Sequence, residues 1–387
     1  MKSSISKNKL FMASCFALIT TSMTFAIRAK LEFVFNDQYS LTFQEIGSAF
    51  APAFWGFTLA MMFGGFFVDL FGMKRIMNIA FVGHLLGIGV TIFARDYWTL
   101  FWGTTLIGIA NGMVEAACNP LVATLYPKEK TKMLNRFHVW FPGGIVIGSA
   151  LGFIIMDFFN LSWMILVSAL IIPLIIYGYL FFNAQFPETE RVSSGISYNE
   201  MIGNCFKPLF IFMVICMMLT AATELGSTQR IESLLKESAP YPILVLAFIN
   251  GLMALGRLFA GEIAHRLSIT NMLILSAVFS CLGLFLLANT SGNMIFVSAA
   301  VFAVGVCYFW PTMLSFVSEK IPESGALGLS LMGGAGMLSV SIVLPQMGKL
   351  MDKNISGSEA LMIMAYIPAI LIIAFTLLHF YVKAKKI

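Results

Sequence analysis

The chain has 387 residues, of which 59% are hydrophobic and only 11% are charged, and its formal net charge at pH 7 is +5. An average soluble domain carries about 25% charged residues, so this composition excludes an ordinary water-soluble protein. The small net charge gives no reason to expect a nucleic-acid partner. The six cysteines form no CxxC pair, so we expect no disulfide framework, no metal site and no cofactor.

Apolar stretches long enough to cross a bilayer recur along the whole chain. A hydrocarbon core of ~30 Å requires about 20 helical residues, and the sequence predicts an all-α membrane protein with twelve transmembrane helices. The first stretch is longer than the apolar core of a signal peptide, so we interpret it as a span. The predicted spans are residues 10–30, 45–68, 76–94, 98–125, 136–156, 162–183, 208–229, 241–263, 270–289, 293–317, 325–348 and 359–382.

One polar segment, residues 184–207, separates spans six and seven and is rich in Pro, Ser, Gly and charged residues. The predicted organisation is therefore an N-terminal six-helix bundle (1–183), a cytoplasmic linker (184–207) and a C-terminal six-helix bundle (208–387). With a cytoplasmic N-terminus, sixteen Lys and Arg residues fall on the inner side and six on the outer side. The positive-inside rule thus predicts a plasma (inner) membrane protein with both termini in the cytoplasm.

Two glycine-containing patterns occur at corresponding places in the two halves. The connection after span two reads GGFFVDLFGMKR, and the matching stretch after span eight reads GRLFAGEIAHRLS, with Arg257, Gly261, His265 and Arg266. Span five places Gly144, Gly148 and Gly152 four residues apart, which permits close helix contact; span eleven carries LMGGAGML. Such repetition favours an internally duplicated transporter whose halves move about a central site.

The stretch GxxxDxxGxKR, formed by Gly65, Asp69, Gly72, Lys74 and Arg75, resembles the signature loop of the major facilitator superfamily. ANGMVEAACNPLVATLYP, LNRFHVWFPGGIVIGSALG and TAATELGSTQRIESLL further resemble spans four, five and seven of its fucose/galactose/glucose proton symporter group. The resemblance implies the major facilitator fold, two bundles related by a pseudo-two-fold axis. It also implies that the signature cluster, with Arg257 in the second half, latches the outward-facing state. The alternative is that Lys74 and Arg75 only fix topology.

Span four contains one carboxylate, Glu115, between Asn111 and Asn119 at four-residue spacing. These three side chains lie on one face of a helix. A mid-membrane carboxylate is costly when ionised and unpaired, and burial favours its neutral form. The pattern therefore predicts that Glu115 couples proton movement while Asn111 and Asn119 contact a hydroxyl-rich solute. A purely structural hydrogen-bond network between helices is the open alternative.

Arg28 stands where the resembled symporters carry an acidic residue in their first span. An inward-facing Arg28 could pair with Glu115 or Glu224, or bind an anionic group of a substrate through its planar guanidinium. We include Arg28 among the candidate substrate-binding residues. The alternative is that its side chain extends to the membrane interface.

Further candidates come from spans five and seven. By resemblance, Glu224 is a second proton-coupling residue and Gln229 a substrate contact. His138 supplies a titratable ring, and Trp140 supplies an aromatic face against which a sugar can lie. For both, packing alone is the alternative interpretation.

The sequence contains no P-loop, no HExxH motif and no soluble domain that could house an enzyme. We predict a monomeric secondary transporter, not an enzyme, that moves a small polar solute, sugar-like by resemblance, with proton cotransport. An organic-anion or sugar-acid transporter that uses Arg28 as its anion anchor is the alternative. A channel and a non-transporting sensor remain separate classes, distinguished by counterflow and by concentrative uptake.

Overall fold

The computed structural model describes residues 6–128, 130–182, 184–188, 198–259 and 267–385. Throughout these ranges the chain is helical, without a strand. The α-helices are α1 (Lys7–Tyr39), α2 (Phe43–Phe50), α3 (Pro52–Phe71), α4 (Met73–Ile92), α5 (Tyr97–Leu125), α6 (Lys130–His138), α7 (Trp140–Gly152), α8 (Trp163–Ser168), α9 (Ile171–Phe182), α10 (Tyr198–Cys205), α11 (Pro208–Ala221), α12 (Ile231–Leu234), α13 (Pro242–Leu258), α14 (Ile269–Asn289), α15 (Met294–Cys307), α16 (Phe309–Lys320), α17 (Gly325–Met351) and α18 (Gly357–Lys385). Two π-helical segments, Phe153–Phe158 and Ala222–Gly226, and a 3₁₀ turn, Pro322–Ser324, complete the order.

Within the described residues, 11 helices are long and apolar enough to cross a membrane, and α13 is a shorter apolar helix. Several predicted bounds match closely: the predicted span 98–125 is α5, and 270–289 is α14. The first span was predicted to end at residue 30, but α1 continues to Tyr39. Of the predicted eighth span and the second-half pattern, Gly261, His265 and Arg266 lie outside the described residues.

Proline accounts for three places where a predicted span divides into two helices. Proline has no N–H to donate to the carbonyl four residues earlier. Pro142 cannot donate to the carbonyl of His138, and α6 gives way to α7 there. Pro173 does the same between α8 and α9, and Pro311 between α15 and α16.

The chain divides into two compact units. Unit 1 comprises Met1–Leu41 and Ser48–Ile196, and unit 2 comprises Thr42–Gly47 and Ser197–Ile387. In unit 1, α5 packs against α3 and α4, and α1 packs against α7 and α9. In unit 2, α14 packs against α15 and α18, α11 against α17, and α13 against α15.

The segment Thr42–Gly47 belongs to unit 2 because two side chains of that unit bind it. The Asp352 carboxylate accepts hydrogen bonds from the backbone N–H groups of Phe43 and Gln44, each at 2.8 Å. The buried Arg230 donates through Nη2 to the carbonyl of Phe43 at 2.9 Å. A carboxylate at a helix N-terminus is favourable because the first N–H groups of a helix have no helical partner.

Glycines set the close helix contacts of unit 1. A Cβ atom on Gly148 would lie 3.0 Å from the Cβ of Ala26 and 3.2 Å from the carbonyl oxygen of Met23, and one on Gly144 would contact Ser22. The predicted small-residue face of span five therefore packs against α1. On α5, a Cβ on Gly108 would lie 2.6 Å from the Cα of Ala53 in α3.

Candidate functional site

Glu115, Asn119 and His138 form one hydrogen-bonded cluster in unit 1. The Asn119 amide donates through Nδ2 to Oε2 of Glu115 at 2.7 Å, and Nε2 of His138 lies 2.9 Å from Oδ1 of Asn119. Since the amide oxygen only accepts, the His138 nitrogen that faces it carries the proton. Glu115 is buried, whereas Asn119 and His138 are partly exposed. A carboxyl group and an imidazole are thus connected through one amide.

The start of α5 holds this helix in place. Asp96 accepts hydrogen bonds from the backbone N–H groups of Trp98 at 2.8 Å and Thr99 at 3.0 Å, and it forms a capping box with Thr99. The hydrogen bond from the backbone N–H of Thr99, with smaller contributions from the Thr99 hydroxyl and the N–H of Trp98, lowers the pKa of Asp96. Asp96 therefore stays ionised at the positive end of the helix.

Asn111 lies apart from that cluster, in a second and fully buried set of hydrogen bonds. Its Oδ1 is 2.8 Å from Nε2 of His84, and its Nδ2 donates to the Thr24 hydroxyl at 3.1 Å. The other ring nitrogen of His84 is 2.9 Å from the Tyr177 hydroxyl. Sequence reasoning did not identify His84 or Tyr177, although a histidine within an apolar span is a visible signal.

Arg28 is buried, and its guanidinium lies over two aromatic rings of the same unit. The guanidinium carbon is 4.9 Å from the ring centroid of Phe25 and 4.7 Å from that of Phe54. The interface alternative, in which this side chain reaches the surface, therefore does not hold. Trp140 is 40% exposed, and its backbone carbonyl accepts a hydrogen bond from Ser22 at 3.3 Å.

Glu224 lies in the π-helical segment Ala222–Gly226 of unit 2. Nη2 of Arg257 is 4.0 Å from Oε1 of Glu224, and Nε of Arg257 donates to the carbonyl of Cys307 at 3.3 Å. That carbonyl is the one released by Pro311, so the arginine satisfies an acceptor that the helix cannot. π-helical insertions are frequent at functional sites. We predicted Arg257 as part of the latch, whereas in the structure it is the charged neighbour of Glu224.

Gln229 and Arg230 follow this segment, and both are buried. The backbone N–H of Gln229 bonds to the carbonyl of Leu225 at 2.9 Å. Besides Phe43, Nη2 of Arg230 reaches the carbonyl of Leu344 at 2.7 Å. Burial lowers the pKa of Arg230 to about 9, with Asp352 acting in the opposite direction, so its guanidinium remains charged at pH 7.

The signature loop joins α3 to α4 through Gly72. Its φ of 83° and ψ of 148° lie in a backbone region that residues other than glycine rarely adopt. Lys74 donates to the carbonyl of Ala184 at 3.0 Å, and Arg75 is exposed. Gly65 and Asp69 lie within α3, and their surroundings fall outside what the structure describes.

A partly buried ion pair, which the sequence did not reveal, joins α1 to the π-helical segment Phe153–Phe158. Nζ of Lys30 lies 2.7 Å from Oδ1 and 2.8 Å from Oδ2 of Asp157. Among the described residues, no group of three or more His, Cys, Asp or Glu side chains is arranged to hold a metal ion.

The family model of the Major Facilitator Superfamily matches residues 10–343. Among curated proteins, the chain is similar to the multidrug resistance protein MdtG of Proteus mirabilis, with 24% identity over 209 residues. That match covers 54% of this chain and 52% of MdtG, so the chain aligns with about half the length of that relative.

Solved transporters share the fold over nearly the whole chain. The nucleoside transporter NupG superposes with a TM-score of 0.78 at 15% identity, covering 96% of this chain and 98% of NupG. The fucose:proton symporter FucP of E. coli gives a TM-score of 0.63 at 16% identity, covering 95% and 98%. At such identities the similarity establishes the fold alone.

Proposed function

Because the chain belongs to the Major Facilitator Superfamily, whose matched members are transporters and not enzymes, we propose that it is a proton-coupled symporter for a small polar solute of the sugar class. Twelve transmembrane helices would form two six-helix bundles, residues 1–183 and 208–387, joined by a cytoplasmic linker. Both termini would lie in the cytoplasm, and a monomer would work by alternating access. The similarity in fold to FucP, a fucose:proton symporter, supports this solute class.

The observation that carries the proposal is the Glu115–Asn119–His138 cluster. An ionised Glu115 accepts a hydrogen bond from the Asn119 amide. A protonated Glu115 has a hydroxyl that can donate a hydrogen bond, and it offers less acceptor capacity. Protonation therefore changes the hydrogen-bonding pattern that Asn119 and His138 present. Amides and imidazoles pair well with hydroxyl groups, and Trp140 supplies a partly exposed aromatic face nearby in the chain. Proton binding and solute binding thus share one set of contacts.

Glu224 is the second proposed proton-coupling residue, and it depends on Arg257. At 4.0 Å, the arginine stabilises the ionised carboxylate, while protonation of Glu224 removes that attraction. Arg257 retains the Cys307 carbonyl as a partner in either state. Gln229, three residues after the end of this π-helical segment, is proposed as a solute contact.

The remaining candidates are proposed to have different roles. We propose that Asn111, fully buried between His84 and Thr24, holds helices together instead of contacting the solute. The signature cluster of Gly65, Asp69, Gly72, Lys74 and Arg75 is proposed as the conformational latch. Its Lys74 binds the first carbonyl of the linker region.

The experiment that tests the coupling role is Glu115→Gln in purified protein reconstituted into vesicles. We expect pH-driven accumulation of the solute to be lost and solute counterflow to be partly retained, because the amide keeps the shape of the site but cannot take up a proton. Glu237→Gln, an exposed position outside the predicted spans, is the matched control and should behave as wild type. Loss of both activities in a folded Glu115→Gln protein would make Glu115 a binding residue and reject the coupling role.

The second candidate function, transport of an organic anion or sugar acid, rests on the buried Arg28. A ligand that binds only the folded protein raises its melting temperature. We would measure the melting temperature with L-fucose, D-xylose, uridine and D-gluconate, in wild type and in Arg28→Ala. Stabilisation by the neutral compounds in both proteins favours the sugar symporter. Stabilisation by D-gluconate alone, abolished in Arg28→Ala, favours the anion transporter.

A further inference from the structure

His84 is a buried titratable residue that the proposed transport site does not use. It lies on α4, and its two ring nitrogens contact Tyr177 on α9 and Asn111 on α5. Asn111 in turn contacts Thr24 on α1. Four helices of unit 1 therefore meet through one continuous chain of hydrogen bonds, and all four side chains are buried.

The direction of every bond in this chain follows from its end on α1. The Thr24 hydroxyl donates to the carbonyl of Thr21 at 2.6 Å. Having spent its one proton, the hydroxyl can only accept from Asn111, so the amide nitrogen faces Thr24 and the amide oxygen faces His84. An amide oxygen only accepts, which places a proton on Nε2 of His84.

The same reasoning determines the other nitrogen. If Nδ1 were also protonated, the Tyr177 hydroxyl would have to accept, and its own buried proton would lose its partner in the chain. An imidazolium would also be a buried charge whose two hydrogen-bonding partners, Tyr177 and Asn111, are both neutral. The arrangement that satisfies all the groups has Tyr177 donating to Nδ1 of a neutral His84.

Asn111 lies one helical turn before Glu115 and two turns before Asn119 on the same face of α5. A fixed Asn111 amide therefore fixes the rotation of α5 about its own axis. Asn119 is bonded to Glu115 on the same helix at 2.7 Å, and the rotation of α5 determines whether this amide also reaches His138 on α6, at 2.9 Å. A shift of Asn111 would therefore be transmitted to Asn119 through the backbone of α5.

We propose that His84 is a positioning residue for the candidate site: a neutral ring with its proton on Nε2, held by a one-directional chain from Tyr177 to the Thr21 carbonyl, that fixes Asn111 and so the orientation of α5. The proposal rests on the proposed function only for the role of the Glu115 cluster. The protonation state of His84 is a property of the fold and stands whether or not the protein transports a sugar.

The test is nitrogen NMR of the folded, full-length protein labelled with ¹⁵N-histidine, which contains only 4 histidines. We expect the two His84 ring nitrogens to show the neutral ring protonated on Nε2, unchanged between pH 5 and pH 8, the range in which an unperturbed histidine titrates. A His84 imidazolium in that range, or a proton on Nδ1, would overturn the proposal without reference to transport.

Two variant pairs extend the test along the chain. Thr24→Val removes the hydroxyl that sets the direction, and Thr24→Ser retains it; we expect a mixture of His84 tautomers in the first and one tautomer in the second. His84→Phe removes the donor to Asn111, whereas His84→Gln retains one. We expect the protonation constant of His138 to change about threefold, about 0.5 pH unit, in His84→Phe only. Unchanged His84 tautomers in Thr24→Val, or an unchanged His138 in His84→Phe, would contradict the positioning role.

Discussion

Two basic residues of the helices, Lys30 and Arg257, each lie beside an acidic partner. Lys30 is bound by both oxygens of Asp157, and Arg257 lies beside Glu224. In both cases the acid occupies a π-helical segment, where the extra residue per turn changes the direction in which the side chain projects. We infer that the two insertions orient the acids toward their bases.

The first residue-scale prediction concerns Lys30 and Asp157, whose side chains are 9% and 21% exposed. Asp157→Asn should lower stability by about 2 kcal/mol, because a charged lysine loses its counter-ion in a poorly hydrated place. Melting temperatures of Asp157→Asn, Lys30→Met and the double variant should reveal a coupling of about 1 kcal/mol or more.

The chain offers a matched control for this cycle. Lys207 and Glu323 form a pair at 4.0 Å with side chains 55% and 52% exposed. Because water and salt screen an exposed pair, its coupling should stay below about 0.5 kcal/mol. Equal coupling in the two pairs would show that burial does not strengthen the Lys30–Asp157 interaction.

A second prediction follows from the contact between Arg257 and Glu224. Arg257→Gln should destabilise the protein by about 1–2 kcal/mol, because it leaves a buried carboxylate without its counter-charge. Adding Glu224→Gln should recover part of that loss, since the double variant buries no charge there. The measurement is the melting temperature of the three variants. A double variant less stable than both single variants would contradict this pairing.

Sequence reasoning placed Glu115, Asn119 and His138 among the candidates, but it did not find the hydrogen bonds of His84 or the Lys30–Asp157 pair. The i, i+4 spacing of Glu115 and Asn119 was sufficient to predict that they share a face. The partners His84, Tyr177 and Asp157 are more than 20 residues from the groups they bind. Such contacts depend on the height and rotation of one helix against another, which hydrophobic periodicity does not encode. The 4.0 Å contact between Arg257 and Glu224 is of the same kind, and the latch role of Arg257 stays a prediction.

At the scale of whole helices, composition was enough to locate the spans but not their internal breaks. Apolar runs mark the segments that can cross a bilayer, and the bounds of α5 and α14 were predicted within one residue. The extension of α1 to Tyr39 was missed because Glu32 and Asn36 interrupt the apolar run. The π-helical segments were also missed, because hydrophobic periodicity does not mark an extra residue per turn.

The element-scale prediction compares two helical glycines of unit 1. A Cβ on Gly108 would lie 2.6 Å from both the Cα of Ala53 and the carbonyl oxygen of Pro52, whereas one on Gly89 would have no atom within 4 Å. Gly108→Ala should therefore destabilise the protein by about 1–3 kcal/mol, because backbone atoms of α3 must move. Gly89→Ala should be neutral or stabilising by up to about 1 kcal/mol through helix propensity.

Melting temperatures of the two alanine variants provide the measurement, and each serves as the other's control for the loss of a glycine. If Gly108→Ala were as stable as Gly89→Ala, the close contact between α5 and α3 would not exist in solution.

At the scale of the whole molecule, the family follows from the sequence match, whereas the solute is a proposal. Membership in the Major Facilitator Superfamily is shown by the match over residues 10–343, and 11 described helices could cross a membrane. The solute depends on a few side chains. MdtG, which resembles this chain in sequence, is a multidrug resistance protein, whereas FucP, which resembles it in fold, is a fucose:proton symporter. The Glu115 cluster and Arg28 therefore carry more information about the solute than the fold does.

The remaining prediction is the orientation of the chain in the membrane, which the distribution of Lys and Arg predicts. Cys205 ends α10 and is partly exposed, so we expect it on the cytoplasmic side. Lys353, exposed just after α17, should lie on the outer side. In cells that express a variant with Cys205 as its single cysteine, a membrane-impermeant maleimide should react only after permeabilisation. A variant whose single cysteine comes from Lys353→Cys should react in intact cells. The reverse pattern would invert the proposed topology and place both termini on the outer side of the membrane.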